Sequence, residues 1–146
     1  KEFTPDGKLL REITLNLDMP NPQHAVQLTT GQFVLCHGLS SDPVHRVCIV
    51  GADGRPIHAY GGPKGAGPGQ LDTPQHLAVD KDGFILVADS HNRRVLLLSP
   101  TLSYVTEVVS RDQFEEDSGP WWVLLNVDGN RLFVADGNTR VSVFSL

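Results

Sequence analysis

The sequence predicts an all-β protein whose strands form the four-stranded antiparallel blades of a β-propeller. Apolar residues occur in short runs, without the spacing of an amphipathic helix. Gly, Pro, Asn and Asp interrupt these runs about every ten residues, which is typical of short strands joined by turns. One pattern recurs three times at intervals of about 48 residues. A repeat of this length favours propeller blades over a sandwich or a barrel.

The repeat is carried by prolines and by the ends of apolar runs. Pro22, Pro74 and Pro120 each precede an apolar segment, at spacings of 52 and 46 residues. The tripeptide Val-Ala-Asp occurs at 87–89 and again at 134–136. In each copy an Arg-Val pair then opens another apolar segment. The three copies therefore predict three similar groups of strands.

We expect a single propeller unit over residues 1–146, with three blades' worth of strands. One blade spans 24–60 and a second spans 75–109. The segment 121–145 supplies three strands of a further blade and lacks an outer strand. The segment 8–15 follows an Asp-Gly turn, as the last strand of the first blade does. We therefore expect it to be the outer, fourth strand of a split blade.

Three blades are too few to close a ring, because propellers usually contain four to eight. Two chains would supply six. We therefore expect a head-to-tail homodimer in which the strand at 8–15 of one chain completes the blade at 121–145 of the other. The alternative is that the sequence is a fragment of a longer six-bladed protein. In both cases an isolated chain would expose strand edges and apolar sheet faces.

Residues 69–95 resemble an NHL repeat. They contain Gly-x-Leu-x-x-Pro at 69–74, an apolar strand, Asp-x-x-Gly at 80–83, a second apolar strand ending in Ala-Asp at 88–89, and Asn-x-Arg-Val at 92–95. The third copy keeps most of these positions, whereas the first has His37 in place of the second Asp. The resemblance implies a propeller, commonly six-bladed, similar to the C-terminal NHL domain of tripartite-motif and RING-finger proteins. It also implies recognition of a protein partner or of single-stranded RNA on one propeller face.

The motif residues also have structural roles that follow from their own chemistry. The Asp-Gly pairs at 82–83 and 128–129 predict tight turns between strands. Asp89 and Asp136 come directly after an apolar strand, where a carboxylate accepts N–H bonds from the following turn. We expect the arginines that begin the next strands to lie close to these aspartates.

The starts of the inner strands form the candidate ligand-binding site, since a propeller brings them together at the mouth of its axial channel. His24 and His76 are equivalent in two copies, and Trp122 takes the third place. An aromatic ring here would stack on a peptide side chain, a sugar or a base. Alternatively, the tryptophans pack between blades and the histidines fill the channel. The candidate residues are Gln23, His24, Gln75, His76, Trp121 and Trp122.

The chain is acidic, with 12 basic and 17 acidic residues and a formal net charge of −5. Bulk charge therefore disfavours nucleic acids and anionic membranes as partners. We predict a non-catalytic recognition module for a protein partner, with no membrane partner. Single-stranded RNA is the alternative, and it would require a local basic patch. The candidate patch residues are Arg46, Lys64, Arg93, Arg94 and Arg140.

No arrangement of residues predicts catalysis. The sequence contains neither Gly-x-Ser-x-Gly nor Cys-x-x-Cys. A metal-dependent lyase or hydrolase, similar to the NHL-like propeller of the peptide amidating lyase, is the remaining enzyme class. In that family the metal-binding histidines directly follow the proline, where this chain has Gln23, Gln75 and Trp121. We therefore expect no catalytic residue, no metal and no cofactor.

Two cysteines are too few for a disulfide framework, so we expect Cys36 and Cys48 to be free thiols. No apolar run approaches the roughly 20 residues that cross a bilayer. The sequence also contains no Asn-x-Ser/Thr glycosylation site. Together these features favour a cytoplasmic location.

Overall fold

The computed structural model describes residues 2–15, 18–126, 128 and 130–146. Within them, the regular structure consists of strands and one short 3₁₀ turn at Arg111–Gln113. The strands form a two-stranded hairpin and three antiparallel sheets. The predicted all-β fold is therefore confirmed. In the part of the chain that is described, no helix has the length and apolar character needed to cross a membrane.

The strands of each sheet are adjacent in the order in which they occur in the sequence. The N-terminal hairpin consists of β1 (Glu2–Phe3) and β2 (Leu9–Arg11). The first sheet consists of β3 (Pro22–Gln27), β4 (Phe33–His37), β5 (Val44–Val50) and β6 (Pro56–Pro63). The second sheet consists of β7 (Pro74–Val79), β8 (Ile85–Asp89), β9 (Arg94–Leu98) and β10 (Tyr104–Val109). The third sheet consists of β11 (Pro120–Leu125), β12 (Arg131–Asp136) and β13 (Val141–Ser145).

Each sheet begins with a proline at its inner strand. Pro22, Pro74 and Pro120 are the first residues of β3, β7 and β11. The first residue of a strand need not donate an N–H to the ladder, so proline is tolerated there. The repeated proline therefore marks where each inner strand starts.

The hairpin between β7 and β8 contains the predicted tight turn. The N–H of Gly83 donates to the carbonyl of Asp80 at 3.2 Å, and Gly83 adopts a φ of +86°. Glycine reaches this region without the steric cost that a Cβ imposes. The Asp80 carboxylate accepts the backbone N–H groups of Asp82 and Phe84 at 2.9 and 2.8 Å. The corresponding prediction at 128–129 falls partly outside the described residues.

The three sheets pack face to face in chain order, with β3 beside β7 and β7 beside β11. We call the face of a sheet that points to the next sheet in the chain its forward face. The opposite face, which points to the preceding sheet, is its backward face. Successive residues of a strand point to opposite faces, so an apolar strand contributes to both.

Two apolar cores lie between the sheets, and their members are at most 8% exposed. The first joins the forward face of the first sheet (Val34, Cys36, Val47, Ile49) to the backward face of the second (Leu77, Ile85, Val87, Leu96, Leu98). The second joins the forward face of the second sheet (Ala78, Leu86, Ala88, Val95) to the backward face of the third (Val123, Leu132, Val134). Burial of these side chains is the main force that holds the sheets together.

The strand predicted at 8–15 is shorter in the structure. Only Leu9–Arg11 is paired, and its partner is Glu2–Phe3 rather than a strand of another blade. The partner strand contains only two residues, so pairing cannot continue along the rest of 8–15. Glu2–Phe3 pairs with this strand as the third strand of a blade pairs with the fourth.

The residues after β2 pack on the backward face of the first sheet. Met19 is buried there with Leu35, Cys48 and Val50, and Leu15 packs against this cluster. The N-terminal segment thus lies on the side of the first sheet where a preceding sheet would lie.

Cys36 and Cys48 are buried free thiols, as predicted. They occupy neighbouring strands, but Cys36 is opposite Val47 and Cys48 is opposite Leu35. The two thiols therefore point to opposite faces of the sheet. Burial raises the pKa of Cys36 to about 12 and that of Cys48 to about 11, so neither is a reactive thiolate at neutral pH.

Candidate functional site at the inner-strand starts

The starts of the first two inner strands bring two predicted site residues into contact. The imidazole rings of His24 and His76 are stacked, with 3.6 Å between their centroids and 22° between their planes. Nδ1 of His24 accepts the backbone N–H of Leu77 at 3.2 Å. In the neutral ring the proton therefore lies on Nε2. The histidine pair thus joins the inner strands of the first and second sheets.

The surroundings of both imidazoles favour the neutral form. Burial lowers the pKa of His24. Burial and the neighbouring His24 ring lower the pKa of His76 to about 4. Nδ1 of His76 is buried and lacks a hydrogen-bond partner among the described residues. A proton on either ring would place a positive charge in a half-buried position beside the other ring.

Through this pair, we expect the protein to lose stability as the pH falls from about 6.5 to about 4. An unfolded histidine takes up a proton below about pH 6.5, whereas His76 in the folded chain does so only near pH 4, so acid favours unfolding in this window. Urea denaturation at several pH values measures the effect. His76→Gln should reduce the pH dependence, and His58→Gln, at an exposed histidine, should not. The same slope for wild type and His76→Gln would contradict the prediction.

Trp121 and Trp122 lie side by side at the start of β11 and are 46% and 54% exposed. Their ring centroids are 6.1 Å apart, with the planes tilted by 58°. The Trp121 indole lies against Gly137, where an added Cβ would come within 2.5 Å of the indole nitrogen. Neither ring is buried between the sheets of this chain. Both indoles therefore offer apolar surface, and an N–H donor, to another molecule.

The remaining two predicted site residues are glutamines at the starts of β3 and β7. Gln23 and Gln75 precede the stacked histidines and are partly exposed. Nε2 of Gln23 donates to the carbonyl of Asn21 at 2.8 Å. The site therefore combines a histidine pair, a tryptophan pair and two amides, contributed by three neighbouring inner strands.

The five cations predicted as an RNA patch are spread over all three sheets and their loops. Arg46 is half-buried. The other four bind acceptors of the protein: Arg94 binds Asp89 and the Gln70 carbonyl, Lys64 the Ser40 carbonyl, Arg93 the Glu115 and Glu116 carbonyls, and Arg140 the Glu115 carboxylate. An RNA phosphate would have to compete with these contacts.

The Asp89 side chain links the connector before β7 to the loop after β8 through hydrogen bonds. Its side chain is fully buried, and its oxygens accept the N–H of Asp72 at 2.7 Å, Nδ2 of Asn92 at 2.8 Å and Nε of Arg94 at 2.8 Å. Burial raises the pKa of this carboxyl, and the three donors oppose the rise. The Asp, Asn and Arg of the sequence motif therefore act as one buried hydrogen-bonded group.

Asp136 has the equivalent place in the third sheet, where it is more open to solvent. Its carboxylate accepts the backbone N–H groups of Asn138 and Arg140 at 3.0 Å each, and the hydroxyl of Ser118 at 3.2 Å. The predicted turn-holding role is thus confirmed for this aspartate. These donors lower the pKa of Asp136.

A further polar cluster, which the sequence motifs did not single out, lies at the connector before β7. Oδ1 of Asp72 is 3.3 Å from Nδ1 of His91 and 3.6 Å from Nζ of Lys64. The backbone N–H of Thr73 donates to Nδ1 of the buried His45 at 2.8 Å, and Thr73 adopts a φ of +57°, which is costly for a β-branched residue. The members of this cluster come from strand β5, the connector before β7 and the loop after β8, so no sequence spacing indicated the cluster. Across the described residues, no group of three His, Cys, Asp or Glu side chains is placed to hold a metal ion.

Comparison with known proteins supports an NHL-type β-propeller. Residues 71–96 match the family model of the NHL repeat. A crystal structure of a protein of unknown function from Bacteroides caccae is similar in fold, with a TM-score of 0.56 and 15% sequence identity. The similarity covers 98% of this chain and 52% of that protein, so this chain spans about half the length of its structural relative.

Proposed function

We propose that this NHL-type propeller chain is a non-catalytic recognition module that binds a protein partner where the inner strands begin, and that two chains associate head to tail to complete six blades. The observation that carries the recognition proposal is the exposed indole of Trp121, which lies beside Trp122. Tryptophan is among the residues that are enriched in the hot spots near the centre of protein interfaces. Gly137 leaves the space in which the Trp121 ring lies.

The rest of the site suits a peptide segment. The stacked histidines have lowered pKa values and therefore add little charge at neutral pH. The two glutamines supply amide donors and acceptors of the kind that pair with a peptide backbone. A partner segment with an apolar side chain for the indoles and polar groups for the amides would fit this chemistry.

Two observations support a protein partner over single-stranded RNA. The chain carries a net charge of −5, and four of the five cations in the alternative patch already bind protein acceptors. RNA binding depends on cations that neutralise phosphates. The lyase alternative would require histidines as metal ligands. Nδ1 of His24 is not free for this role, because it already accepts the N–H of Leu77.

Selection from a displayed library of random peptides tests the recognition proposal. We expect peptides that contain an aromatic or large aliphatic residue, and we expect Trp121→Ala to weaken their binding by at least roughly tenfold. Val105→Lys, at an exposed position on β10, is the matched control and should bind as wild type does. The absence of any selected peptide would contradict the proposal, as would equal binding by Trp121→Ala. Binding of a random RNA pool in place of peptides would favour the alternative.

The compartment stays a prediction, and we propose the cytoplasm. Buried free thiols are compatible with a reducing environment. Fractionation of cells that express the tagged chain would test this location. Recovery in the secreted fraction alone would contradict it.

A further inference from the structure

The forward face of the third sheet is apolar and open to solvent. Leu124 is opposite Phe133, Phe133 is opposite Val143, and Ala135 is opposite Val141, so these side chains form two adjoining rows. Leu124, Val141 and Val143 are 63%, 64% and 56% exposed. A contiguous apolar surface of this kind on a sheet marks an interface.

The equivalent positions in the preceding sheet are covered, and Leu97, the equivalent of Val143, is partly buried against the core between the second and third sheets. By the repeat, Leu124 corresponds to Ala78 and Val141 corresponds to Val95, which are 8% and 0% exposed because the third sheet covers them. The forward face of a sheet in this chain therefore binds the backward face of another such sheet. The exposed face of the third sheet is a further copy of this surface.

The backward face of the first sheet is incompletely covered. A cavity of about 370 Å³ separates it from the N-terminal segment. Among the side chains that line the cavity are Ile13 and Leu15 on one side and Ala25, Phe33, Leu35 and Val50 on the other. Leu35 is already buried by the N-terminal segment, but Ala25 opposite it is exposed. Ala25 corresponds to Leu77, which is 1% exposed because the first sheet covers it in the equivalent interface. The cavity lies where the strands of a preceding sheet would pack.

The N-terminal segment follows the path of a connector between two blades. Met19 lies three residues before Pro22, as Leu71 lies three residues before Pro74, and both side chains are buried. The residue directly before each proline has a positive φ, +51° at Asn21 and +57° at Thr73. The segment thus approaches the first sheet as the connector approaches the second.

We infer that a second copy of this chain fills this place: the forward face of the third sheet of one copy packs on the backward face of the first sheet of the other. This inference rests on the proposed head-to-tail association and names the surfaces that form it. Both surfaces occur on every chain, so the reciprocal contact between two copies closes a ring of six sheets. The occupant is a copy because the exposed face repeats a surface that already binds a sheet of this chain.

Ring closure also places β13 beside β2, in the position that β1 occupies. Phe3 is opposite Leu9, as Val50 is opposite Pro56 in the first sheet. By the repeat, Phe144 is the equivalent of Val50. β1 therefore occupies the place of the end of β13 and has to leave it when the ring closes. Deletion of residues 1–4 is expected to tighten the association, and weaker association after this deletion would contradict the exchange.

Sedimentation of the full chain over a micromolar concentration range tests the interface. We expect a particle with twice the 15.9 kDa mass of one chain. Val143→Lys places a charge in the centre of the forward face and should weaken association by roughly a hundredfold or more. Val105→Lys, on exposed β10, should have no effect. If the wild-type chain is a folded monomer at all concentrations, the proposed association is wrong. If a dimer forms and Val143→Lys leaves it intact, the association stands and only the assignment of its surfaces is wrong.

Mixing two defective variants gives the sharpest test. Ala25→Arg blocks the backward face of the first sheet, at an exposed alanine that lines the cavity. Each variant alone should be monomeric, whereas a mixture of Ala25→Arg and Val143→Lys keeps one intact interface and should form a one-to-one heterodimer. Failure of the mixture to associate would overturn the pairing of these two faces. Trp122 is opposite Ala135 and therefore lies on the forward face, where the other copy would reduce its exposure. None of these outcomes depends on peptide binding at Trp121, so the role of Trp121 in recognition is tested separately.

Discussion

Replacement of Asp89 by alanine is expected to lower the free energy of unfolding by about 3 to 5 kcal/mol. The carboxylate is fully buried, and the Arg94 side chain that it binds is 16% exposed. Alanine leaves this guanidinium without its anion in a position that admits little water. It also leaves the N–H of Asp72 and the amide of Asn92 without their acceptor. The loss would be a large part of the total stability of a domain of this size.

Urea denaturation followed by far-ultraviolet circular dichroism measures this loss. Asp136→Ala is the matched control, because Asp136 holds the equivalent turn in the third sheet from a more exposed position. It should lose only about 1 kcal/mol. Asp89→Asn keeps the shape of the side chain and should fall between the two. If Asp89→Ala and Asp136→Ala cost the same, burial would not be the reason for the effect.

Truncation of Leu77 to alanine is the second change with a large expected effect, a loss of about 2 to 5 kcal/mol. The side chain is 1% exposed in the core between the first and second sheets, where Val34, Ile49, Ile85 and Leu98 are also buried. Alanine removes its apolar contacts and leaves a cavity between two sheets that pack face to face. The backbone N–H of Leu77 still reaches His24, so the loss reports packing rather than the hydrogen bond.

The same denaturation experiment measures this effect. Val105→Ala is the control, since Val105 is 46% exposed on the outer strand β10 and should change stability by at most about 0.5 kcal/mol. Preservation of the native dichroism spectrum would show that Leu77→Ala weakens the packing without changing the fold. A loss below about 1 kcal/mol would mean that the two sheets do not depend on this core.

The sequence predicted those features whose cause is local. A proline at the start of β7 and a glycine with positive φ at Gly83 fix where a strand begins and turns, and both effects act within a few residues. Alternation along β8 and β9 then decides which side chains face each neighbouring sheet. The group formed by Asp89 and Arg94 was expected for the same reason, since both belong to one hairpin.

Other features could not be predicted because they depend on how separate strands and connectors meet, and the inner strands that meet at His24 are about 50 residues apart. The contact between His24 and His76 depends on how closely β3 approaches β7, and their lowered pKa values follow from that contact and from burial. The cluster around Asp72 joins the connector before β7 to the loop after β8, and no sequence spacing specifies this contact. The sequence likewise left open whether the tryptophans were packed or exposed.

The amino-acid sequence by itself determined where strands and turns form and how many sheets they make. These features depend on backbone preferences and on apolar alternation over short distances. Only the tertiary structure decided which faces are covered. The forward face of the third sheet has the same apolar alternation as the buried faces, and it differs from them only in having no sheet of the described chain packed on it. Burial depends on the position of one sheet relative to another, and no local pattern specifies that position.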